Sequence, residues 1–188
     1  SMKSNNNCAC CSVGQVDEKI KMNRHLFEEA KTRGFLVTHP SGGSPYMIPN
    51  TSFDAAMVDL TNKEACEWLK EVMHSMIKTG VKGWMADFGE SLPLDARLHS
   101  NEDPKSAHNR YPEMWAKLNR EVVEENGDDE LVFFMRAAYM KSPRWASLFW
   151  EGDQMVSWQR HDGIKSAVVG LLSGGISGFS FNHSDIGM

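Results

Sequence analysis

Apolar residues along the chain alternate between helical and strand-like spacing. The clearest pattern runs from Lys63 to Gly80, where apolar residues recur every three or four positions and so line one helix face. Thr61 or Asn62 can cap the start of this helix, and Gly80 ends it. An apolar strand at 81–88 follows at once. The predicted order is therefore helix, tight turn and buried strand.

The same order recurs towards the C-terminus. The sequence predicts a helix at 111–126, with Pro112 near its first turn, and then a strand at 129–139 rich in Val and Phe. Three further elements complete the pattern: a strand at 147–153, a helix at 163–175 and an extended segment at 177–185. Strands separated by helices indicate parallel β/α units wound right-handed. We therefore predict an α/β fold.

The N-terminal part of the chain has weaker patterns. A helix is expected at 25–33 and a short buried strand at 35–40. Residues 41–49 hold glycines and prolines and should form a loop, although a hairpin would have the same composition. Residues 1–24 include a run of three asparagines, so we expect a disordered segment there and a folded domain over 25–188.

Composition and charge exclude several classes of function. With 41% hydrophobic and 24% charged residues, the 188-residue chain can bury a sizeable core. Its formal net charge of -5 argues against a nucleic-acid partner, because no cluster of Lys and Arg could neutralise phosphates. No apolar run approaches the roughly 18 residues of a membrane span, and the N-terminus has no apolar signal-peptide core. We expect a cytoplasmic protein with a small neutral or anionic substrate.

The cysteines are distributed unevenly. Cys8, Cys10 and Cys11 crowd the N-terminus, whereas Cys66 lies alone in a predicted helix. Three thiols within four residues could form a metal site with His25, but zinc prefers two to four residues between paired cysteines. We therefore expect the three N-terminal cysteines to belong to a disordered tail without function, rather than to a metal site. Stoichiometric zinc uptake that disappears on mutation of Cys8 and Cys10 would instead support the metal site.

Each predicted strand after the first ends in polar residues of catalytic type. These residues are Asp87, Glu90, Arg136, Asp153, His183 and Asp185. The carboxyl ends of parallel strands in a barrel meet at one mouth, so residues far apart in sequence come together around one pocket. Asp87 and Asp153 would give a glycosidase its two carboxylates, one to attack the anomeric carbon and one to protonate the leaving oxygen. Arg136 would keep the first carboxylate ionised.

Each of these residues also has an ordinary structural explanation. An Asp that closes a strand often caps a helix or forms a turn, and Arg136 could be an ion-pair partner. Glu90 could serve a turn, and His183 could be a hydrogen-bonded core residue. Three tryptophans are more often core residues than sugar platforms: Trp84, Trp150 and Trp158. We nevertheless assign Trp150 to the substrate because it lies close to Asp153 in the sequence.

The segment GWMADFGESLPLDARLHS at 83–100 closely resembles the nucleophile segment of bacterial sulfoquinovosidases in glycoside hydrolase family 31. Its LPLDARLH extension is more specific than the nucleophile motif shared across that family. The segments FFMRA at 133–137, WEGDQ at 150–154 and NHSDIG at 182–187 also match in the same order. The similarity runs from about Phe35 to the end of the chain.

By this resemblance the chain is part of a (β/α)8 barrel with only its central and late β/α units, since a complete barrel typically needs about 250 residues. Asp87 would be the nucleophile that forms a glycosyl-enzyme intermediate, and Asp153 the acid that later serves as base. The resemblance thus implies a retaining, double-displacement α-glycoside hydrolase, with α-sulfoquinovosides as the favoured substrates.

The resemblance also implies roles for the remaining strand-end residues. Arg136 and Asp185 occupy positions whose family counterparts bind sugar hydroxyls, and Glu90 and His183 would line or buttress the same pocket. No metal or organic cofactor is expected. Two alternatives stay open: a neutral-sugar α-glucosidase of the same family, or a catalytically inactive fragment. Such a fragment would expose sheet edges, which favours a homo-oligomer or association with other chains.

Overall fold

A computed structural model describes residues 8–10, 12–14, 21–49, 54–127 and 130–184, with side chains from residue 25 onwards. Within these ranges the chain forms eight strands and five helices. In chain order they are β1 (Cys8–Cys10), β2 (Ser12–Gly14), α1 (Lys21–Thr32), β3 (Met47–Pro49), β4 (Asp54–Met57), α2 (Lys63–Lys78), β5 (Gly83–Asp87), α3 (Pro104–Asn126), β6 (Val132–Met135), α4 (Ser142–Trp145), β7 (Leu148–Trp150), α5 (Ile164–Ile176) and β8 (Phe181–His183).

The strands form two sheets. The larger one has the order β1-β5-β6-β7-β8, and every neighbouring pair in it is parallel. The smaller one is antiparallel, with the order β2-β4-β3. Helices α3, α4 and α5 each connect one strand of the larger sheet to the next. This parallel α/β arrangement is the one that the alternating sequence pattern predicts.

The smaller sheet lies beside the carboxyl end of the larger one. Strand β2 begins two residues after β1 ends, and the last residue of β1, Cys10, is in register with Asp87 at the end of β5. The chain from β2 to β4 is therefore an elaborated connection between two strands of the main sheet.

Helix α2 forms as the sequence predicts. The Asn62 side chain caps it by accepting a hydrogen bond from the Glu64 amide at 3.0 Å. Its buried face packs into the hydrophobic core and against α3; it consists of Ala65, Trp68, Leu69, Lys70 and Met73. The buried Lys70 on this face has its ammonium 2.7 Å from Glu125 Oε1 of α3. The apolar stripe and this ion pair together fix the contact of α2 with α3.

Helix α3 begins seven residues earlier than the sequence pattern predicts. Asp103 caps it by accepting from the Lys105 amide at 3.2 Å, and Pro104 occupies the first turn. Pro112 lies inside the helix, where it removes a backbone hydrogen bond. Tertiary contacts offset this loss, because the buried Tyr111 hydroxyl donates to the Val58 carbonyl at 2.6 Å. Packing therefore overrides the usual helix-starting role of that proline.

The N-terminal region differs from its sequence-based description. The sequence predicts a disordered segment over 1–24, but Cys8–Cys10 is a strand parallel to β5, and Ser12–Gly14 pairs with β4. These two strands are too short to show an alternating apolar pattern, and their pairing comes from partners more than 40 residues away. The rest of 1–20, including Cys11, lies outside the described residues, as do the side chains of Cys8 and Cys10 that the metal hypothesis requires.

Three short segments have a structure that the local sequence pattern does not predict. The strand expected at 35–40 is reduced to isolated bridges at Leu36 and Thr38. The segment at 41–49 begins as the turn of a short hairpin, because Thr38 and Pro45 form an antiparallel bridge and the Tyr46 amide donates to the Val37 carbonyl at 2.8 Å. The hairpin alternative is therefore the correct one, and the segment ends in β3. Helix α4 has only four residues and no apolar period to detect. Such elements depend on pairing with distant segments rather than on local pattern.

Candidate active site

The carboxyl ends of β5 and β6 bring Asp87, Glu90 and Arg136 together. Arg136 Nη1 lies 3.3 Å from Asp87 Oδ1. Its Nε donates to Glu90 Oε1 at 3.0 Å, and its Nη2 forms a second hydrogen bond with the same oxygen. One guanidinium therefore contacts two carboxylates from the preceding strand end. Arginine suits this arrangement because its donors point in fixed, separate directions.

The turn after β5 places Phe88 next to Asp87 and against the guanidinium of Arg136. Phe88 has a φ of 59° and Gly89 a φ of 113°. A positive φ is unfavourable for a residue with a Cβ, so Phe88 must be held by its contacts. Its amide donates to Asp87 Oδ1 at 2.9 Å, and the guanidinium carbon of Arg136 lies 4.3 Å from the centre of its ring. Asp87 thus also serves a turn, the structural role expected for an Asp at a strand end.

The charge of Arg136 is matched by carboxylates on several sides. Burial by itself would lower the pKa of Arg136, but the hydrogen bond to Glu90 and the negative charges of Glu90, Asp87 and Asp153 raise it. The Asp87 side chain is only 14% exposed, so its contact with the Arg136 guanidinium is largely shielded from water.

Asp153 lies three residues after β7, on the wall of a cleft of about 180 Å³. The residues lining this cleft are Arg136, Phe149, Trp150, Glu151, Gly152 and Asp153. Asp153 is exposed, whereas Trp150 is 8% exposed and forms part of the cleft wall. Gly152 has a φ of 94°, so the turn that leads to Asp153 has a backbone conformation that favours glycine. Arg136 therefore contacts Asp87 and faces the same cleft as Asp153.

The remaining predicted site residues have different environments. His183 belongs to β8, in register with Trp150, and its ring meets the Phe134 ring edge-on at 5.7 Å between centroids. It is exposed, so it is not the core histidine of the structural alternative. Asp185 lies outside the described residues. The core assignment of tryptophans is correct for Trp84, at 3% exposed, and wrong for Trp158, at 78% exposed.

Two residues of this region are not among the site residues predicted from the sequence. Phe88 supports the Arg136 guanidinium, and the signal that could have identified it is its place between Asp87 and a glycine in the turn. Glu151 carries an oxygen, Oε1, that is buried without a hydrogen-bond partner among the described residues, and burial raises the pKa of this side chain. Among the side chains described, no three His, Cys, Asp or Glu residues are grouped so that they could hold a metal ion.

Comparison with known proteins identifies the family. Residues 3–188 match the model of the glycosyl hydrolases family 31 TIM-barrel domain. The chain is 42% identical over 177 residues to the sulfoquinovosidase of Escherichia coli (strain K12), covering 93% of this chain and 26% of that protein. It is 38% identical over 178 residues to the sulfoquinovosidase of Agrobacterium fabrum (strain C58), covering 93% of this chain and 27% of that protein.

A solved structure gives the same result for the fold. A family 31 sulfoquinovosidase from E. rectale, in complex with an aza-sugar inhibitor, matches with a TM-score of 0.85 and 40% identity. The match covers 95% of this chain and 26% of that one, so the chain spans about a quarter of the length of these relatives. Both the predicted partial (β/α)8 barrel and the resemblance to family 31 are confirmed. The chain belongs to glycosyl hydrolases family 31, as a part of the TIM-barrel domain of that family.

Proposed function

We propose that the protein containing this chain is a retaining α-glycoside hydrolase, with Asp87 as the nucleophile and Asp153 as the acid/base. The observation that carries the proposal is the position of Arg136, which contacts Asp87 at 3.3 Å and lines the cleft of Asp153. Two carboxylates from different strand ends therefore stand around one cation. Retaining glycosidases need this combination of an ionised carboxylate and a second carboxyl group that exchanges protons.

The proposed reaction has two displacements. In the first, an Asp87 oxygen bonds to the anomeric carbon as the glycosidic bond breaks, while Asp153 gives its proton to the leaving oxygen. In the second, Asp153 takes a proton from water, the water oxygen bonds to the anomeric carbon, and the ester to Asp87 breaks. Each displacement inverts the anomeric carbon, so the product keeps the substrate configuration. Arg136 stabilises the Asp87 carboxylate before attack and after its release.

The proposed substrates are α-sulfoquinovosides, with neutral α-glucosides as the alternative. Support comes from the two relatives named as sulfoquinovosidases at 42% and 38% identity. Trp150 and His183, adjacent in register at the ends of β7 and β8, are proposed to line the sugar pocket together with Asp185. Glu90 is proposed to act through Arg136, because its carboxylate is already engaged there.

The test uses the protein encoded by the complete gene, assayed on an aryl α-sulfoquinovoside and an aryl α-glucoside. Proton NMR of the first-formed sugar should show the α-anomer. Asp87→Asn should abolish turnover, whereas Glu71→Gln, which changes an exposed carboxylate of α2, should leave it near the wild-type rate. No turnover of either substrate, or turnover unaffected by Asp87→Asn, would contradict the proposal. Turnover of the glucoside alone would keep the mechanism and change the substrate.

The 188-residue chain by itself is proposed to be inactive and to associate with other chains. Strands β1 and β8 are the outer strands of the described sheet, and α5 exposes a series of apolar side chains. A cytoplasmic location and the absence of a nucleic-acid partner stay predictions. None of the helices in the described ranges has the length and apolar character needed to cross a membrane.

A further inference from the structure

The turn that carries Asp153 is held by the side chain of the next residue, Gln154. The Gln154 Oε1 accepts a hydrogen bond from Ser184 Oγ at 2.7 Å. The Gln154 Nε2 donates to the Glu151 carbonyl at 3.3 Å. One amide therefore closes the turn on one side and connects it to the residue after β8 on the other. Both contacts are partly buried, so water competes for them less than on an open surface.

This amide bridge lies just beyond the point where strand pairing ends. The Glu151 amide donates to the His183 carbonyl at 2.9 Å, which is a backbone bond between the β7 and β8 ends. After it the chain turns at Gly152, whose φ of 94° takes it out of the strand conformation. Asp153 is exposed and stands on this turn. The Gln154 side chain then supplies the contacts that the ended strand pairing no longer provides.

We propose that Gln154 and Ser184 are positioning residues for the acid/base Asp153. The proposal rests on the proposed function of Asp153. A general acid works only within hydrogen-bond reach of the atom that it protonates, about 2.6–3.2 Å, and a misplacement of about 1 Å can cost roughly a hundredfold in rate. The Gln154–Ser184 bridge fixes the Asp153 carboxyl relative to β8, and therefore relative to the leaving oxygen of a bound sugar.

A bridge that only stabilised the loop would have a different kinetic signature. Loss of general stability lowers the amount of active enzyme, and therefore lowers the rates of all substrates by one factor. Misplacement of the acid instead slows substrates with poor leaving groups, which must be protonated, more than substrates with good leaving groups. The ratio of rates for an alkyl and a nitrophenyl glycoside of the same sugar separates the two explanations.

The experiment uses the complete gene product and the sugar that the wild type hydrolyses, as its methyl and nitrophenyl α-glycosides. Gln154→Ala should lower kcat/KM by about 10- to 100-fold for the methyl glycoside and by less than about threefold for the nitrophenyl glycoside. Ser184→Ala should give the same pattern of losses. Ser184→Thr, which keeps the hydroxyl, should have rates near those of the wild type. Gln159→Ala, an exposed glutamine of the same loop, is the matched control and should change neither rate.

A double variant and Asp153→Ala complete the design. Gln154→Ala with Ser184→Ala should lose no more than Gln154→Ala alone, since both remove one bridge. Retained hydrolysis of the nitrophenyl glycoside would show that the variants fold. Equal losses on both glycosides, or additive losses in the double variant, would overturn the positioning role. If the loss of rate in Asp153→Ala does not depend on the leaving group, both the proposed function and this inference fail. If the loss depends on the leaving group in Asp153→Ala but not in the Gln154 and Ser184 variants, only the inference is overturned.

Discussion

Arg136 Nη1 lies 3.3 Å from Asp87 Oδ1, while the other side of the same guanidinium is engaged by Glu90. The guanidinium also lies over the ring of Phe88, a residue with positive φ in the turn between the two carboxylates. The turn, the aromatic ring and Glu90 thus fix the direction of the Arg136 donors. The contact with Asp87 is a consequence of this local arrangement rather than of an isolated ion pair.

Replacement of Arg136 by lysine should impair catalysis, although the charge is kept. A single ammonium group cannot contact Asp87 and Glu90 with separate, fixed donors, so we expect kcat/KM of the complete protein to fall by about 10- to 100-fold. Arg33→Lys is the matched control. Arg33 pairs with Glu29 at 3.1 Å, but both side chains are almost half exposed, so this variant should keep full activity. Wild-type kinetics for Arg136→Lys would contradict the role given to the separate donors of the Arg136 guanidinium.

Gly89→Ala should destabilise the turn that follows β5. A φ of 113° is accessible to glycine but strained for alanine, whereas the nearest atoms to an added Cβ are at ordinary contact distance, 3.6 Å or more. The backbone therefore sets the cost, which we expect to be about 1–3 kcal/mol in the free energy of unfolding. Denaturant titration followed by tryptophan fluorescence measures it.

Gly175→Ala provides the control for that measurement. Gly175 lies in α5 with open space where an added Cβ would stand, and its φ is not positive. Alanine is the better helix former by roughly 1 kcal/mol, so this variant should be neutral or more stable. A similar loss for both alanine variants would show that the conformation of Gly89 is not the cause.

The buried hydrogen bond between Trp84 and Asn119 should contribute to the free energy of unfolding. Trp84 Nε1 donates to Asn119 Oδ1 at 2.7 Å, and Asn119 is fully buried. Asn119→Leu leaves the indole N–H without its acceptor and should cost about 1–3 kcal/mol in unfolding free energy. Trp84→Leu in the Asn119→Leu background removes the orphaned donor but also packing. The informative measurement is the coupling energy of the double-mutant cycle, which should be at least about 1 kcal/mol; a value near zero would contradict the prediction.

The contact between α2 and α3 should weaken in acid. The hydrogen bond from Lys70 lowers the pKa of Glu125; burial opposes this shift, and the His74 hydrogen bond adds to it. A lowered pKa in the folded state means that the stabilisation is complete above the unfolded value, about 4.3, and is lost as pH falls through the folded value. Glu125→Gln should therefore lower the apparent Tm at about pH 7, and this difference from wild type should shrink at about pH 3.5.

Glu124→Gln, at an exposed position one residue earlier, is the control for the acid effect. Its difference from wild type should be small and should not depend on pH. A Glu125→Gln difference that stays constant from neutral to acid pH would contradict the assignment of this stabilisation to the ionised carboxylate.

The isolated 188-residue chain should self-associate through α5. On this helix Val169 is 63% exposed, Leu172 65% and Ile176 90%. Light scattering after size exclusion should show species larger than a monomer, and Leu172→Glu together with Ile176→Lys should shift them towards the monomer. Gln159→Glu, which adds a charge at an exposed polar position, should not. A monomeric wild-type chain would contradict the proposed association.

The order of the main helices and strands follows from the sequence alone, because apolar periodicity is a local property of each segment. Helix α2 and the strands β5 to β7 appear where the pattern predicts them. The strand-end positions of Asp87, Arg136 and Asp153 follow from the same pattern, since each lies where an apolar run stops. Similarity of four short segments to family 31 then indicated the chemistry, with roles that stay predictions.

The contacts between side chains depend instead on the tertiary fold. The Glu90–Arg136 pair joins residues 46 positions apart, and the Gln154–Ser184 pair joins residues 30 apart. Such pairs have no local signature, because they exist only after parallel strands bring their ends together. For the same reason the strand at Cys8–Cys10 and the position of Pro112 inside α3 could not be predicted. In each case a contact with a distant segment outweighs the weak preference of the local sequence.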